Sequence, residues 1–406
     1  MSKLQLGVFF GSRSCEREVS IISALQMMNH VDTEKYDVVP VYIDQDGAWY
    51  TGPALRELRT FAPFHADAKG VENVNLDLTS GSGALLAYRP GKGLFTPAKL
   101  EVVARLDVCF LVLHGLHGED GALQGLLEMA NLPYTSTGVV GSAVGMDKII
   151  MKQFFRGAGL PVLPGCWFQR SAFEKDGQSV ADQVEKELGY PVFVKPANLG
   201  SSIGVSRADN REELMDSLSL AFEYDRRVLV EKGLDRPMEL NCSVLGWDAE
   251  VEASPIEMPL RPEGDNMLDF KDKYLQGAGA SKGMASLSRV LPAQIGEELT
   301  GEIQEMSRQI FRMLDCKGVV RIDYMFDKAT EKVFITEINT IPGSLAFYLW
   351  EAKGVKYPEL IDRMVTYARR AHEEKNSRNY AYTSDILKNY AGGGKGAKGA
   401  KGSKMT

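Results

Sequence analysis

The chain has 406 residues, 44% hydrophobic and 25% charged, which is room for two or three globular domains rather than one. A net charge of −7 excludes the basic footprint of a nucleic-acid binder for the body of the protein, and no stretch approaches the length of a membrane span. Five scattered cysteines (Cys15, Cys109, Cys166, Cys242, Cys316) form no CxxC pair, so neither a disulfide framework nor a zinc site is supported, and a reducing cytoplasm is the simplest fit.

The N-terminal apolar run is too short for a signal peptide. Leu4–Phe10 reads as a strand, Glu18–Met28 as a helix and Tyr36–Ile43 as a second strand, a βαβ opening that implies a parallel sheet. The polar loop between the first strand and the helix, Gly11 to Glu18, is a ligand-binding corner of the kind such sheets make at strand ends. Residues 65–100 are rich in Gly, Asn and Asp and read as an insertion or long loops. Leu106–Leu113 is a near-continuous apolar run, expected to be a buried parallel strand, and it ends in a polar segment that makes His114 and Glu119 candidates for lining a site.

After Gly145 the pattern changes. Asp147–Gly157 reads as a helix, and Leu160–Phe168 and Pro191–Val194 as strands, so a small α+β unit is expected over about 143–232. Within it the strand VFVKP ends at Lys195 and runs into Gly200-Ser201-Ser202-Ile-Gly204, a loop whose backbone N–H groups suit phosphates although the Walker spacing is missing. A further strand, RRVLVEKGL, ends in Glu231-Lys232. A larger unit follows to about Glu374, closed by an amphipathic helix from Tyr357 to about His372. Residues 375–406 end in a Gly/Lys-rich, low-complexity tail that cannot bury a core.

The segment Val319–Ser344 carries the densest chemistry. GVVRIDYMF and FITEINTIPGS flank a short polar turn of about five residues, a hairpin signal. Side chains alternate along a strand, so Arg321, Asp323 and Met325 share one face, and Ile335, Glu337 and Asn339 are expected to share another. Pairing Asp323 with Glu337 sets Arg321 opposite Asn339. Two carboxylates, an amide and a guanidinium then form one patch among apolar neighbours, which a hard divalent cation would neutralise. A solvated outer hairpin face is the plain alternative.

Taken in order, lysine, Gly-Ser loop, Glu-Lys, Arg-x-Asp and Glu-x-Asn resemble an ATP-grasp ligase, and specifically the D-alanine–D-alanine ligase family. The matching stretches are SCEREVS (14–20), LHGLHGEDGALQG (113–125), LPYTSTGVVGSAVGMDK (132–148), KPANLGSSIGVS (195–206), VEKGL (230–234), KYL (273–275), GVVRIDYMF (318–326) and EINTIPGS (337–344). The resemblance implies an α/β and α+β, three-domain ATP-grasp fold. Its parts would be an N-terminal Rossmann-like domain with a parallel sheet at 1–142, a central subdomain at 143–232, a C-terminal subdomain with the metal site at 233–374, and the tail. It implies ATP and two Mg²⁺ (or Mn²⁺) as cofactors. Lys148, Lys195 and Lys232 would contact phosphates, with Ser202 beside them. Glu231 and Glu239 would serve adenine or ribose, with Leu234 at the adenine, and Lys273 would touch the transferred phosphate. Asp323, Glu337 and Asn339 would hold the metal ions.

By the same resemblance, Arg321 and the backbone N–H of Gly343 would steady an oxyanion. Glu16 would anchor the first D-alanine, with Ser201 and Tyr274 linking loops over it and His114 and Glu119 nearby. One position departs. Where many members place a serine followed by leucine, this chain has Tyr348-Leu349, so the acceptor carboxylate would fall to Tyr348 or Ser344. The implied activity is ATP-dependent, ADP-forming ligation of two D-alanines for peptidoglycan precursor synthesis by a cytoplasmic homodimer acting on small molecules only. The alternatives are D-lactate or D-serine as acceptor, or a nucleotide-binding regulatory protein that kept the fold without catalysis.

Overall fold

The first apolar run becomes β1 (Leu4–Gly11), buried from Leu6 onward. It lies parallel to β2 (Tyr36–Ile43) on one side and to a later strand, Val108–Leu111, on the other. Side chains on both faces of such a central strand need cover. Helix α1 (Arg17–Met28) supplies part of it with Ile21, Ala24, Met27 and Met28. The computed structural model describes residues 2–91, 97–260, 288–380, 382, 384 and 387.

The sheet is wider than the parallel reading implies. Beyond β2 it continues through β3 (Trp49–Thr51), β4 (Glu72–Leu76), β5 (Ala84–Arg89) and β6 (Lys99–Arg105), all antiparallel, and β7 (Val108–Leu111) closes the far edge. The 65–100 region therefore forms strands as well as loops. Its glycines serve as turns: Gly83 has a φ of 59° and sits where a Cβ would strike the Leu106 carbonyl at 2.3 Å.

After α2 (Ala122–Met129) and α3 (Val139–Met146), Asp147 caps α4 (Lys148–Gly157) by accepting N–H bonds from Ile149 and Ile150. A four-stranded antiparallel sheet follows, in the order β10 (Ser206–Ala208), β9 (Val192–Pro196), β11 (Arg227–Lys232), β8 (Gly165–Gln169). Helices α5 (Arg170–Glu187) and α6 (Arg211–Tyr224) cover one of its faces, with Val180, Val184, Leu214 and Leu218 inward.

A second four-stranded antiparallel sheet has the order β13 (Glu250–Ala253), β12 (Met238–Trp247), β16 (Gly318–Asp327), β17 (Lys332–Asn339). Between its halves lie the two-stranded β14 (Met258–Pro259) and β15 (Arg289–Val290) and helix α7 (Glu297–Met313). The α7 side chains Ile303, Ile310 and Phe311 pack with Val320, Ile322 and Tyr324 in one core. The opposite face of the hairpin is left for polar groups.

The chain closes with α8 (Phe347–Glu351) and α9 (Tyr357–Ser377), whose Leu360, Ile361 and Met364 join the N-terminal core. The closing helix thus runs past His372 and across residue 375, where the tail was expected to begin, and α3 runs across residue 142.

Candidate active site

The expected hairpin pairing is present. Asp323 lies opposite Glu337, and Arg321 opposite Asn339. One detail differs. Between Asp323 and Tyr324 the register shifts, because Tyr324 pairs with Ile335 and leaves Thr336 as an extra residue. A bulge reverses the alternation of faces. Val333 and Ile335 are buried in the core beneath α7, as is Ile338, whereas Glu337 and Asn339 line a cavity on the other face. Ile335 therefore does not share a face with Glu337, although the plain alternation predicts it.

Asp323 is met by Arg321 through Nε at 2.6 Å and Nη2 at 2.7 Å, and by Asn339 Nδ2 at 3.1 Å. Burial works against the Arg321 charge, but Asp323 outweighs it and raises the guanidinium well above its ordinary value. Glu337 pairs with Lys148, Oε2 to Nζ at 3.0 Å. The Lys148 ammonium also donates to the Leu199 carbonyl at 2.8 Å. Burial opposes its charge too, and Glu337 more than compensates, raising it. Next in line across the sheet, Asn241 faces Asp323 and Glu257 faces Asn241, extending the polar row to four residues.

The facing wall comes from the central sheet. Lys195 at the end of β9 pairs with Glu231 on β11, Nζ to Oε2 at 2.7 Å. Lys152 on α4 pairs with the other oxygen at 2.9 Å. Burial alone would push the Glu231 carboxyl up, but these two ammoniums hold it down at about 2. Lys232 donates to the Tyr190 carbonyl at 2.8 Å. Together with Leu234, Glu239 and Ser202, these groups line the same cavity of ≈ 510 Å³ as the hairpin face; Lys152 stays behind the wall.

The cavity's third side is N-terminal. Ser201 donates a short hydrogen bond to Glu16. Both loops approach so closely that a Cβ on Gly115 would meet a Glu16 oxygen at 2.5 Å and one on Gly200 at 2.7 Å. Glu119 accepts N–H bonds from Gly115 and Ile341, both at 2.9 Å, while burial and the Glu16 charge push its carboxyl up to about 8. His114 contacts the Ile341 carbonyl through Nδ1 at 2.9 Å and Ser23 Oγ through Nε2 at 3.1 Å. A carbonyl only accepts, so Nδ1 carries the proton, Ser23 donates to Nε2, and Ser23 Oγ in turn accepts from the Ser344 N–H at 3.1 Å. Burial lowers His114 to about 4 and keeps it neutral.

Pro342-Gly343 leads into three consecutive left-handed residues, Ser344, Leu345 and Ala346, and Gly343 lines the cavity. Ser344 and Tyr348 do not line it. Ser344 is buried, and Tyr348 donates to Glu257 at 3.2 Å with the Arg289 guanidinium over its ring at 4.0 Å. Lys273 and Tyr274 lie outside the described residues.

Sequence reasoning missed Lys152, Asn241 and Glu257. The first left no signal in the sequence, because its i,i+4 spacing from Lys148 reads as a solvated helix face. Asn241 was detectable from the alternation Glu239, Asn241, Ser243 along one strand. Among the described residues, no three His, Cys, Asp or Glu side chains are grouped to hold a metal ion. The donors on offer are two carboxylates and the Asn339 amide, each carboxylate already facing a cation, which fits a hard ion completed by phosphate oxygens and water.

Residues 5–137 match the family described as D-ala D-ala ligase N-terminus, and residues 154–366 match D-ala D-ala ligase C-terminus. The chain is 40% identical over 370 residues to the D-alanine–D-alanine ligase of Bacillus velezensis, covering 90% of this chain and 98% of that protein. Among solved structures, the D-alanine–D-alanine ligase from Coxiella burnetii superposes with a TM-score of 0.73 at 29% identity, covering 93% of this chain and 97% of the other. The VanG D-Ala:D-Ser ligase from Enterococcus faecalis superposes with a TM-score of 0.73 at 26% identity, covering 90% and 100%.

Proposed function

This chain belongs to the D-alanine–D-alanine ligase family, and from that premise we propose that it uses ATP to join two D-alanines, with release of ADP and phosphate, for peptidoglycan precursor synthesis. It has the ATP-grasp architecture of its structural neighbours. The observation that carries the reading is one cavity in which Asp323, Glu337 and Asn339 face Lys148, Lys195 and Glu231, with Arg321 beside Asp323 and Glu16 on the N-terminal side.

A carboxylate is a poor acyl donor because its leaving group would be oxide. Transfer of the ATP γ-phosphoryl to the first D-alanine gives an acyl phosphate. The second D-alanine's amine then attacks the carbonyl carbon, the C–O bond to phosphate breaks, and a proton leaves the nitrogen. Asp323, Glu337 and Asn339 would hold divalent ions, which would neutralise phosphate charge when bound. Lys148, Lys195 and Lys232, with Ser202, hold the triphosphate, while Glu231, Leu234 and Glu239 face the nucleoside. Arg321 and the Gly343 N–H stabilise the oxyanion, a contact worth about 3–4 kcal/mol. Glu16, fixed by Ser201, binds the first ammonium beside His114 and Glu119. The matching motif assigns Lys273 to the transferred phosphate and Tyr274 to the pair of Ser201 and Glu16. No protein nucleophile is needed.

Small molecules are the only partners required, and the family resemblance favours a homodimer. No described helix is long and apolar enough to cross a membrane, and a cytoplasmic location matches the substrates. The three units at 1–142, 143–232 and 233–374, with the tail at 375–406, are our division of the chain. The test is to offer D-alanine, D-lactate and D-serine together with ATP and identify products by mass spectrometry. D-alanyl-D-alanine is expected as the main product; a depsipeptide or D-alanyl-D-serine as main product would overturn the acceptor assignment.

A further inference from the structure

Lys152 sits one turn after Lys148 on α4 and is 3% exposed. An ammonium taken out of water must be met by acceptors or it is lost. Its Nζ is met twice, by an ion pair with Glu231 Oε1 on β11 at 2.9 Å and by the main-chain carbonyl of Ile335 on β17, to which it donates at 2.7 Å. Ile335 is the residue at which the β16–β17 ladder slips. Both of its backbone groups look outward there, the carbonyl to Lys152 and the N–H to the Pro161 carbonyl at 2.9 Å. Those partners answer the usual objection to a bulge inside a sheet, that its backbone groups lose their ladder bonds.

The bulge decides what Glu337 can do. Val333 and Ile335 face the core. With uninterrupted alternation Glu337 and Asn339 would follow them into it, and the slip at Thr336 is what turns them to the cavity. We propose that Lys152, through its simultaneous hold on the Ile335 carbonyl and the Glu231 carboxylate, is a positioning residue that keeps the bulge formed and the two cavity walls in register. Lys152 does not line the cavity, so it acts through Glu337 and Glu231 and not on the reactants. This rests on the reading of the hairpin face as the site for metal and nucleotide.

The experiment uses the full chain and two variants, Lys152→Met and the double variant Lys152→Met/Glu231→Gln, the second removing the carboxylate charge that the first leaves half-paired. In ligand-free protein, backbone amide exchange across residues 332–339 is expected to run about tenfold faster in Lys152→Met, the weight of one charge-assisted hydrogen bond. The Mg²⁺ concentration for half-maximal phosphate release at saturating ATP should rise about tenfold with it, while exchange in β1 stays unchanged. The double variant should regain melting temperature yet keep the fast exchange. Wild-type exchange and Mg²⁺ response in Lys152→Met would overturn the proposal. So would wild-type exchange in the double variant, because Lys152 would then serve only to balance charge. Failure of the underlying reading shows separately, as absence of Mg²⁺-dependent phosphate release by the unmodified enzyme.

Discussion

The two charged walls of the cavity solve the same electrostatic problem in different ways. On the hairpin wall, Glu337 is 24% exposed and its partner Lys148 reaches it from another element; on the central wall, Glu231 is 2% exposed and gripped by two lysines. Pairs open to a cavity can exchange partners when a ligand arrives. A carboxylate sealed between two ammoniums cannot do so without a large cost. The hairpin charges are therefore arranged to be re-partnered, and the Glu231 cluster is a fixture that shapes the site. Removing a hairpin charge should cost activity and leave stability, whereas removing the sealed charge should cost stability first.

The largest expected effect is on the open wall. Glu337→Gln should lower kcat by about 10³, the scale of losing one charge-stabilising contact, while the melting temperature stays within about 2 °C of the parent. Steady-state kinetics beside a thermal melt checks both halves, and wild-type turnover at modest Mg²⁺ would defeat the assignment.

On the sealed wall, Glu231→Ala should destabilise the fold by about 3–5 kcal/mol, because it strands Lys152 and Lys195. The unmodified protein should show the same group by pH. Its folded carboxyl titrates near 2 and its ordinary value is 4.5. Its contribution is thus complete above pH 4.5 and is lost as pH falls towards 2, about 3 kcal/mol in all. Urea unfolding at pH 7, 4 and 3, with the variant as control, measures it.

Lys195 belongs to both descriptions, since it pairs with Glu231 and is assigned to the nucleotide phosphates. Lys195→Ala should weaken nucleotide binding by about 1.5–3 kcal/mol, read by calorimetry with ADP. An unchanged dissociation constant would confine this lysine to the fixture. The smallest effect serves as a reference for both walls. Truncation after Arg378, beyond the end of α9, should leave kcat and KM within about twofold, since a segment so poor in apolar residues has little to dock with.

Much of this contrast was legible in the residues. The alternation in GVVRIDYMF placed Arg321, Asp323 and Met325 on one face, and the turn length set Asp323 against Glu337. The slip at Thr336 was not legible. Alternation counts residues, and one residue left out of the ladder leaves no mark in a sequence that stays apolar and polar by turns. Lys152 escaped because a lysine at i,i+4 from another reads as a solvated helix face; only the folded chain brings Glu231 and Ile335 to it. The strands between 72 and 105 were hidden by their Gly- and Asn-rich turns. Tyr348 was visible as a departure from the motif of the resemblance, but its place against the Arg289 guanidinium depends on a partner far away in the chain.

The grip on Ile341 bears on how the molecule is built in time. Its N–H is taken by Glu119 and its carbonyl by His114, residues 222 and 227 positions earlier. Bringing such distant segments together costs chain entropy before any bond repays it. Each sheet draws mostly on nearby sequence and can form early. The turn that carries Gly343 is fixed only when the first and last thirds of the chain have met. In refolding from urea, helical signal should return first and ligase activity last, with His114→Ala lengthening the interval between them.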